Sequence, residues 1–368
     1  MQTKNYKFII SGGGTGGHVF PAIAIANALK KSCPDAEILF VGANGRMEMD
    51  KVPEAGYKII GLNISGLRRS LSPQNIATLF KLLSSLQKAK KIIRQFKPDA
   101  VIGVGGYASG PVLKIAASKK IPTLIQEQNS YPGITNKILS KKVNKICVAY
   151  EGMEKFFPKE KIILTGNPVR QDMTELQGKR EPGQEFFGMD TVRKTILVVG
   201  GSLGARTINN AILEKLELFK QNNIQLIWQT GKTFFETAQK ACEKYKDNGI
   251  NCHAFISKMD YAYAAADVIV SRAGAIAISE MCLVGKPAIL VPSPNVTEDH
   301  QTKNALALSE NDAAILVKDA EAAEKLAAEA IALVQDEARA VRLSSNIARF
   351  AHKDVADRIA GIILDMIK

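Results

Sequence analysis

The chain has 368 residues, 46% hydrophobic and 23% charged, the profile of a soluble globular protein long enough for about two domains. Forty-nine Lys and Arg against 36 Asp and Glu leave a formal charge of +13, which favours an anionic partner: nucleic acid, an acidic membrane surface or a phosphorylated substrate. Cys33, Cys147, Cys242, Cys252 and Cys282 are scattered and never in CxxC spacing, which argues against a disulfide framework or a zinc site and fits a reducing cytosol.

The start, MQTKNYKFII, shows no apolar signal region and passes from a strand at Tyr6–Ile10 into a glycine loop. Further strands are predicted at Glu37–Val41, Ala100–Val104, Thr123–Gln126 and Lys145–Ala149, with helical patterns between them. TGNPVR (Thr165–Arg170) reads as a turn between domains, and Lys179–Asp190, broken by Pro182 and Gly183, reads as a surface loop. A second set of strands follows at Thr195–Val199, Gln225–Trp228, Val268–Val270, Ala288–Val291 and Ala314–Val317. The apolar stretch Asp267–Pro292 is interrupted by Arg272, Glu280 and Lys286, so no segment reads as a membrane span. Asp354–Ile367 is helical by pattern and is a candidate to pack back on the first domain. Strands alternating with helices imply parallel sheets. Each half opens with strand, glycine loop and helix, so the fold class is α/β: two Rossmann-like domains facing a central cleft.

Gly12, Gly14 and Gly17 fit G-x-G-x-x-G between a strand and a helix, where free N–H groups and the helix dipole favour an anion. A dinucleotide site also wants an acid at the end of the second strand, yet here no acid appears until Glu48. That gap disfavours an NAD(P) oxidoreductase. Two more loops, Gly103-Val-Gly-Gly-Tyr-Ala-Ser-Gly-Pro and Gly200-Gly-Ser-Leu-Gly-Ala-Arg, follow strands without a Walker G-K-[ST]. Three such loops fit a phosphate-bearing donor on one side and a second phosphorylated substrate on the other. Nucleic acid is disfavoured, because aromatic content is only 6% and no basic cluster is interleaved with aromatics.

GGGTGGHVFPAIAIANAL, GGYASGP, EQNSYPGITNK, TGNPVR, GGSLGAR and SRAGAIAISE, in this order, resemble the MurG family from about residue 8 to about residue 310. The resemblance implies a GT-B fold, with residues 1–165 as the acceptor and membrane-associating domain and 166–350 as the UDP-sugar domain. It implies an inverting, metal-independent transfer of N-acetylglucosamine from UDP-N-acetylglucosamine to the C4 hydroxyl of lipid-linked N-acetylmuramyl-pentapeptide (lipid I to lipid II), with no cofactor. The donor half also lacks a DxD pair. The EQN and GGYASGP pair argues against two GT-B alternatives, a diacylglycerol glycosyltransferase and a UDP-sugar epimerase.

By the same resemblance, Ser202 meets the donor phosphates, Arg170 stands where the family has a donor-binding arginine, Glu280 takes the uridine ribose hydroxyls, Ile256 meets uracil through its backbone, and Ala275 begins the Glu280 helix. Gln301 binds sugar hydroxyls, with a one-residue uncertainty of register against His300; Asn129 contacts the donor sugar or the acceptor, Thr15, Gly16 and Gly17 line the donor side of the same cleft, and Tyr107 contacts the acceptor. His18 is the candidate general base and acceptor contact, since imidazole suits the task near neutral pH; Glu127 is the rival base.

A lipid-linked acceptor requires contact with a membrane. Ser72–Lys97 is amphipathic, and most of its apolar stripe reads as core. Leu79, Phe80 and Leu83 beside Lys81, after Arg68-Arg69, could form an apolar tip with a basic rim; Lys137 and Lys141-Lys142 add a second basic run. The expected location is therefore peripheral, on the cytoplasmic face of the inner membrane, and the resemblance makes cell-wall synthesis and division proteins candidate partners.

Overall fold

Unbroken apolar runs such as Phe8-Ile-Ile and Ile196-Leu-Val-Val suit strands covered on both faces, and they form the centres of two parallel sheets. The computed structural model describes residues 5–65, 74–169, 173, 176–201, 203–296 and 299–368, with only the backbone of 74–79. Arg68, Arg69, Ser72, Arg170 and Ser202, and the side chain of Leu79, lie outside the described residues. The chain divides into two units, residues 1–170 with 354–368, and residues 171–353.

The first unit runs β1 (Lys7–Ser11), α1 (Gly16–Ser32), β2 (Glu37–Ala43), α2 (Glu48–Glu54), β3 (Lys58–Leu62), α3 (Gln74–Phe96), β4 (Ala100–Gly103), α4 (Ser109–Ser118), β5 (Thr123–Glu127), α5 (Ile134–Ser140), β6 (Lys145–Val148) and β7 (Ile162–Leu164). Its sheet has the order β3-β2-β1-β4-β5-β6-β7, and the strand pairs are parallel. The turn Thr165–Asn167 belongs to this unit because buried Asn167 accepts from Gln126 Nε2 at 2.9 Å and donates to the Gln128 carbonyl at 3.0 Å.

The second unit runs α6 (Arg180–Phe186), β8 (Thr195–Val199), α7 (Arg206–Leu213), α8 (Leu216–Gln221), β9 (Gln225–Gln229), α9 (Lys232–Cys242), β10 (Ile250–His253), α10 (Met259–Ala265), β11 (Val268–Ser271), α11 (Ala275–Val284), β12 (Ala288–Leu290), α12 (His300–Ser309), β13 (Ile315–Leu316), α13 (Ala322–Gln335) and α14 (Glu337–Ala348). Its order, β10-β9-β8-β11-β12-β13, repeats that of the first six strands of the other sheet. A last helix, α15 (Val355–Asp365), returns to the first unit, where Ile359 and Ile363 join Ile25 and Leu29 of α1 in one core.

Each sheet is packed on both faces by apolar clusters. In each, strand order reverses direction beside the first strand of the unit, between β1 and β4 and between β8 and β11. Such switch points, at the carboxyl ends of the strands, are where open α/β sheets take their ligands. The glycine loops follow those strands.

Two expectations need correction. Strands β3, β7 and β10 were not predicted; each lies at a sheet edge with one neighbour and is only partly buried, and each apolar run is short: β7 is Ile162–Leu164 alone, Gly61 interrupts β3, and β10 carries Asn251 and His253. The predicted loop at 179–190 contains α6, since Pro182 lies in the first helical turn, where its missing N–H costs no intrahelical bond. This helix packs on α10 and leads into the buried Phe187 and Met189.

Candidate active site

In the first unit, Ser11 ends β1 deep in the sheet, its hydroxyl donating to the Val41 carbonyl at 2.9 Å. The chain turns through Gly12–Gly14 into α1, with Thr15 as an extended N-cap. The Thr15 carbonyl receives the amides of His18 and Val19 at 3.1 Å each, and its hydroxyl lies 3.3 Å from His18 Nδ1. The other edge of the imidazole lies over Gly105, where a Cβ would come within 2.6 Å of Nε2. Gly105 also has φ +97°, so glycine is required there twice over. His18 therefore sits half-buried at the switch point, between the loops that follow β1 and β4. Tyr107 stands exposed on the second of these loops, and Thr15 and Gly17 are exposed on the first, with Gly16 partly covered.

Glu127 ends β5 and is buried. Its Oε1 accepts from the Asn129 amide (3.0 Å) and Asn129 Nδ2 (3.2 Å), and its Oε2 from the Gly133 amide (3.2 Å) and Asn136 Nδ2 (2.8 Å). Burial pushes this carboxyl above the usual carboxylate range, against the pull of those four N–H donors. Both oxygens thus hold the EQNSYPG loop, and Asn129 with it. Gln126, also buried, turns inward to Asn167.

In the second unit, the loop Gly200–Ala205 leads from β8 into α7. Gln229, at the end of β9, ties this loop to the segment after β10. Its Nε2 donates to the Gly201 carbonyl at 3.0 Å and its Oε1 accepts the Ile256 amide at 2.8 Å. The Ile256 N–H is therefore used within the protein.

Across the switch point, β11 ends at Ser271 and α11 begins at Ala275 after Gly274, whose Cα faces open space. Arg272 between them is structural: its guanidinium donates to the Val291 and Pro292 carbonyls and to Asp319, which also holds Thr207. Glu280 lies farther along α11, 9% exposed, with the Tyr263 hydroxyl donating to its Oε2 at 3.3 Å. A carboxylate among Ile278, Met281 and Cys282 needs such a partner. Gln301, at the start of α12, accepts the Ser293 amide through Oε1 at 2.9 Å. Among the described residues, no three His, Cys, Asp or Glu side chains gather as a metal-ligand set.

Both loop systems lie at switch points, where open α/β sheets take their ligands. Residues 8–148 match the glycosyltransferase family 28 N-terminal domain and residues 195–359 match its C-terminal domain. The chain belongs to glycosyltransferase family 28.

Within family 28 its relatives are of the MurG type. It is 58% identical to the UDP-N-acetylglucosamine–N-acetylmuramyl-(pentapeptide) pyrophosphoryl-undecaprenol N-acetylglucosamine transferase of Parabacteroides distasonis, over 99% of each chain. It is 56% identical to the enzyme of the same name from Cytophaga hutchinsonii, over 100% of this chain and 98% of that one. The crystal structure of Acinetobacter baumannii MurG superposes with a TM-score of 0.79 at 28% identity, covering 98% of this chain and 99% of that one. The two parallel-sheet units are thus the Rossmann-like domains of a GT-B enzyme.

The structure brings His18, Thr15, Gly16, Gly17 and the Tyr107 loop to one switch point, and Ile256, Ala275, Glu280 and the Gly200 loop to the corresponding part of the other family 28 domain. Sequence reasoning passed over Gln229 and Tyr263. The one signal for Gln229 was a polar residue closing the apolar run Leu226-Ile-Trp.

Proposed function

We propose that this chain transfers N-acetylglucosamine from UDP-N-acetylglucosamine to the C4 hydroxyl of lipid-linked N-acetylmuramyl-pentapeptide, inverting the anomeric centre without a metal ion. The observation that carries the reading is its full-length relation to transferases named for that reaction. On the donor side, Glu280, braced by Tyr263, accepts from the ribose hydroxyls, and the Ile256 carbonyl accepts from uracil. The N-terminus of α11 and the loop Gly200–Ala205, with Ser202 and Arg170, meet the diphosphate, so N–H dipoles stabilise the charge that develops on departing UDP. Gln301 and Asn129 hold sugar hydroxyls. On the acceptor side, Tyr107 contacts the substrate and His18 takes the C4 hydroxyl proton as that oxygen attacks C1. The C1–oxygen bond to UDP breaks on the opposite side, which inverts the centre.

Among the described residues no helix is long and apolar enough to cross a membrane. Peripheral attachment at the cytoplasmic face is supported by α3. Ala89, Ile92 and Ile93 of this helix are core, whereas Phe80 (68% exposed) and Leu83 project beside Lys81. On α5, Ile134 and Ile138 are exposed near Lys141 and Lys142. Apolar area with a cationic rim suits an anionic bilayer.

Ligand-induced stabilisation separates this reading from its rivals. UDP at a hundredfold excess over Kd should stabilise the protein by about 2.7 kcal/mol, seen as a rise in melting temperature, with no effect of NAD or an oligonucleotide. Stabilisation by NAD and not by UDP would refute the transferase reading.

A further inference from the structure

We propose that Glu48 is a positioning residue for transfer: its carboxylate acts as a built-in anion for the first glycine loop and fixes the backbone that carries Thr15 and His18. The inference rests on the proposed role of His18 as the base. Glu48 is the first acid after β2 and opens the next helix, beyond the strand end at which a dinucleotide-binding domain would present a carboxylate to a ribose. Here the side chain turns inward. It is 1% exposed although it opens a surface helix. Its Oε2 accepts the Gly14 amide at 2.8 Å and its Oε1 accepts the Ala43 amide at 2.9 Å. The carboxylate fills the space beside Gly13, and a Cβ on Gly13 would overlap it; a Cβ on Gly42 would likewise crowd its Cγ.

The loop amides after β1 are the groups that usually receive a ligand phosphate in this topology. In this chain the Gly14 amide is already bonded to a protein carboxylate, and a buried negative charge beneath the loop opposes a second anion. The first of the two similar glycine loops is thereby closed to a nucleotide diphosphate and held in one shape. One residue beyond Gly14 stands the N-cap Thr15, and one helical turn farther stands His18. On the loop's other side, Gly106 closes on the Gly13 backbone so tightly that a Cβ there would overlap the Gly13 carbonyl. Glu48 below and Gly106 beside it set where α1 starts, and so where the imidazole lies over Gly105. Displacement of a catalytic group by about 1 Å can cost on the order of 100-fold in rate.

Glu48→Gln keeps the size but offers one acceptor oxygen to two N–H donors, and Glu48→Ala empties the space. Both should lower kcat by about 10-fold or more, with donor KM and UDP-induced stabilisation unchanged. Added acetate should recover several-fold of the lost kcat in Glu48→Ala and none in His18→Ala. The His18 imidazole resonance, assigned by its loss in His18→Ala, should shift in Glu48→Gln. A folded Glu48→Gln protein with wild-type kcat and a wild-type His18 resonance overturns the proposal. If the wild-type protein transfers no sugar, the functional reading fails, and the imidazole resonance still decides whether Glu48 positions His18. Should Glu48→Ala fail to fold, Glu48→Gln and the too-short Glu48→Asp decide the same question by the same two readouts.

Discussion

The expected result of His18→Ala is a fall in kcat of about 10²–10⁴-fold, the usual span for loss of a general base, with UDP affinity at its wild-type value. His18 belongs to the first unit, whereas Ile256, Glu280 and the Gly200 loop belong to the second. The imidazole is held by Thr15 on one side and Gly105 on the other, so its loss leaves the backbone loop intact and removes the proton acceptor alone. Steady-state kinetics over a pH range test this. A base gives an acidic limb in kcat that disappears in the variant. An acidic limb that survives in His18→Ala would move the base role to Glu127, whose carboxyl is raised by burial. A smaller loss, falling on acceptor KM, would make His18 an orienting group. If UDP binding weakened as much as in Ser202→Ala, the division of donor and acceptor roles between the two units would be wrong.

Glu280→Ala should raise donor KM by about 5- to 150-fold, corresponding to the roughly 1–3 kcal/mol cost of leaving buried hydroxyls without acceptors. Acceptor KM should change little. The Tyr263 hydroxyl sharpens the expectation, because it loses its bond to Glu280 Oε2 and faces the emptied space. Glu280→Gln retains one acceptor oxygen and should fall between wild type and alanine. A 2′-deoxyuridine donor supplies the check. It should bind wild type less well than the ribose form, yet bind Glu280→Ala almost as well as the ribose form does, the signature of a direct pair in a double-mutant cycle. An unchanged donor KM in a folded Glu280→Ala protein would remove Glu280 from the ribose site.

The central strands were legible because their burial on both faces writes an uninterrupted apolar run, as in Phe8–Ile10 and Ile196–Val199. The edge strand β10 was not, because Ile250-Asn-Cys-His pairs on one side and carries two polar residues in four, although the edge strand β13 was. The glycine loops were legible for a similar local reason: their spacing is set by one turn and one helix start. What the sequence hid were contacts between residues far apart in the chain. Glu48 meets Gly14 across 34 residues, Gln229 meets Ile256 across 27, and Gln126 meets Asn167 across 41. No spacing rule reports such pairs; they follow from which strands become neighbours. Glu48 is the instructive case. The lack of an acid before it at the end of β2 disfavoured a dinucleotide site on sequence grounds, and the structure adds a physical reason, since Glu48 is bonded to the Gly14 amide of the loop such a cofactor would use.

Transfer of labelled sugar tests the central claim most directly. The protein, UDP-N-acetylglucosamine labelled in the sugar, and lipid-linked N-acetylmuramyl-pentapeptide are incubated with EDTA, and the label is followed into the lipid fraction. The expected result is a lipid-linked disaccharide with a β linkage, formed at nearly the rate seen without EDTA, together with one UDP per sugar transferred. Label remaining in the nucleotide fraction, or recovered there as an epimerised UDP-sugar, would contradict the transferase reading; transfer that stops in EDTA and returns with Mg²⁺ would contradict its metal-free chemistry.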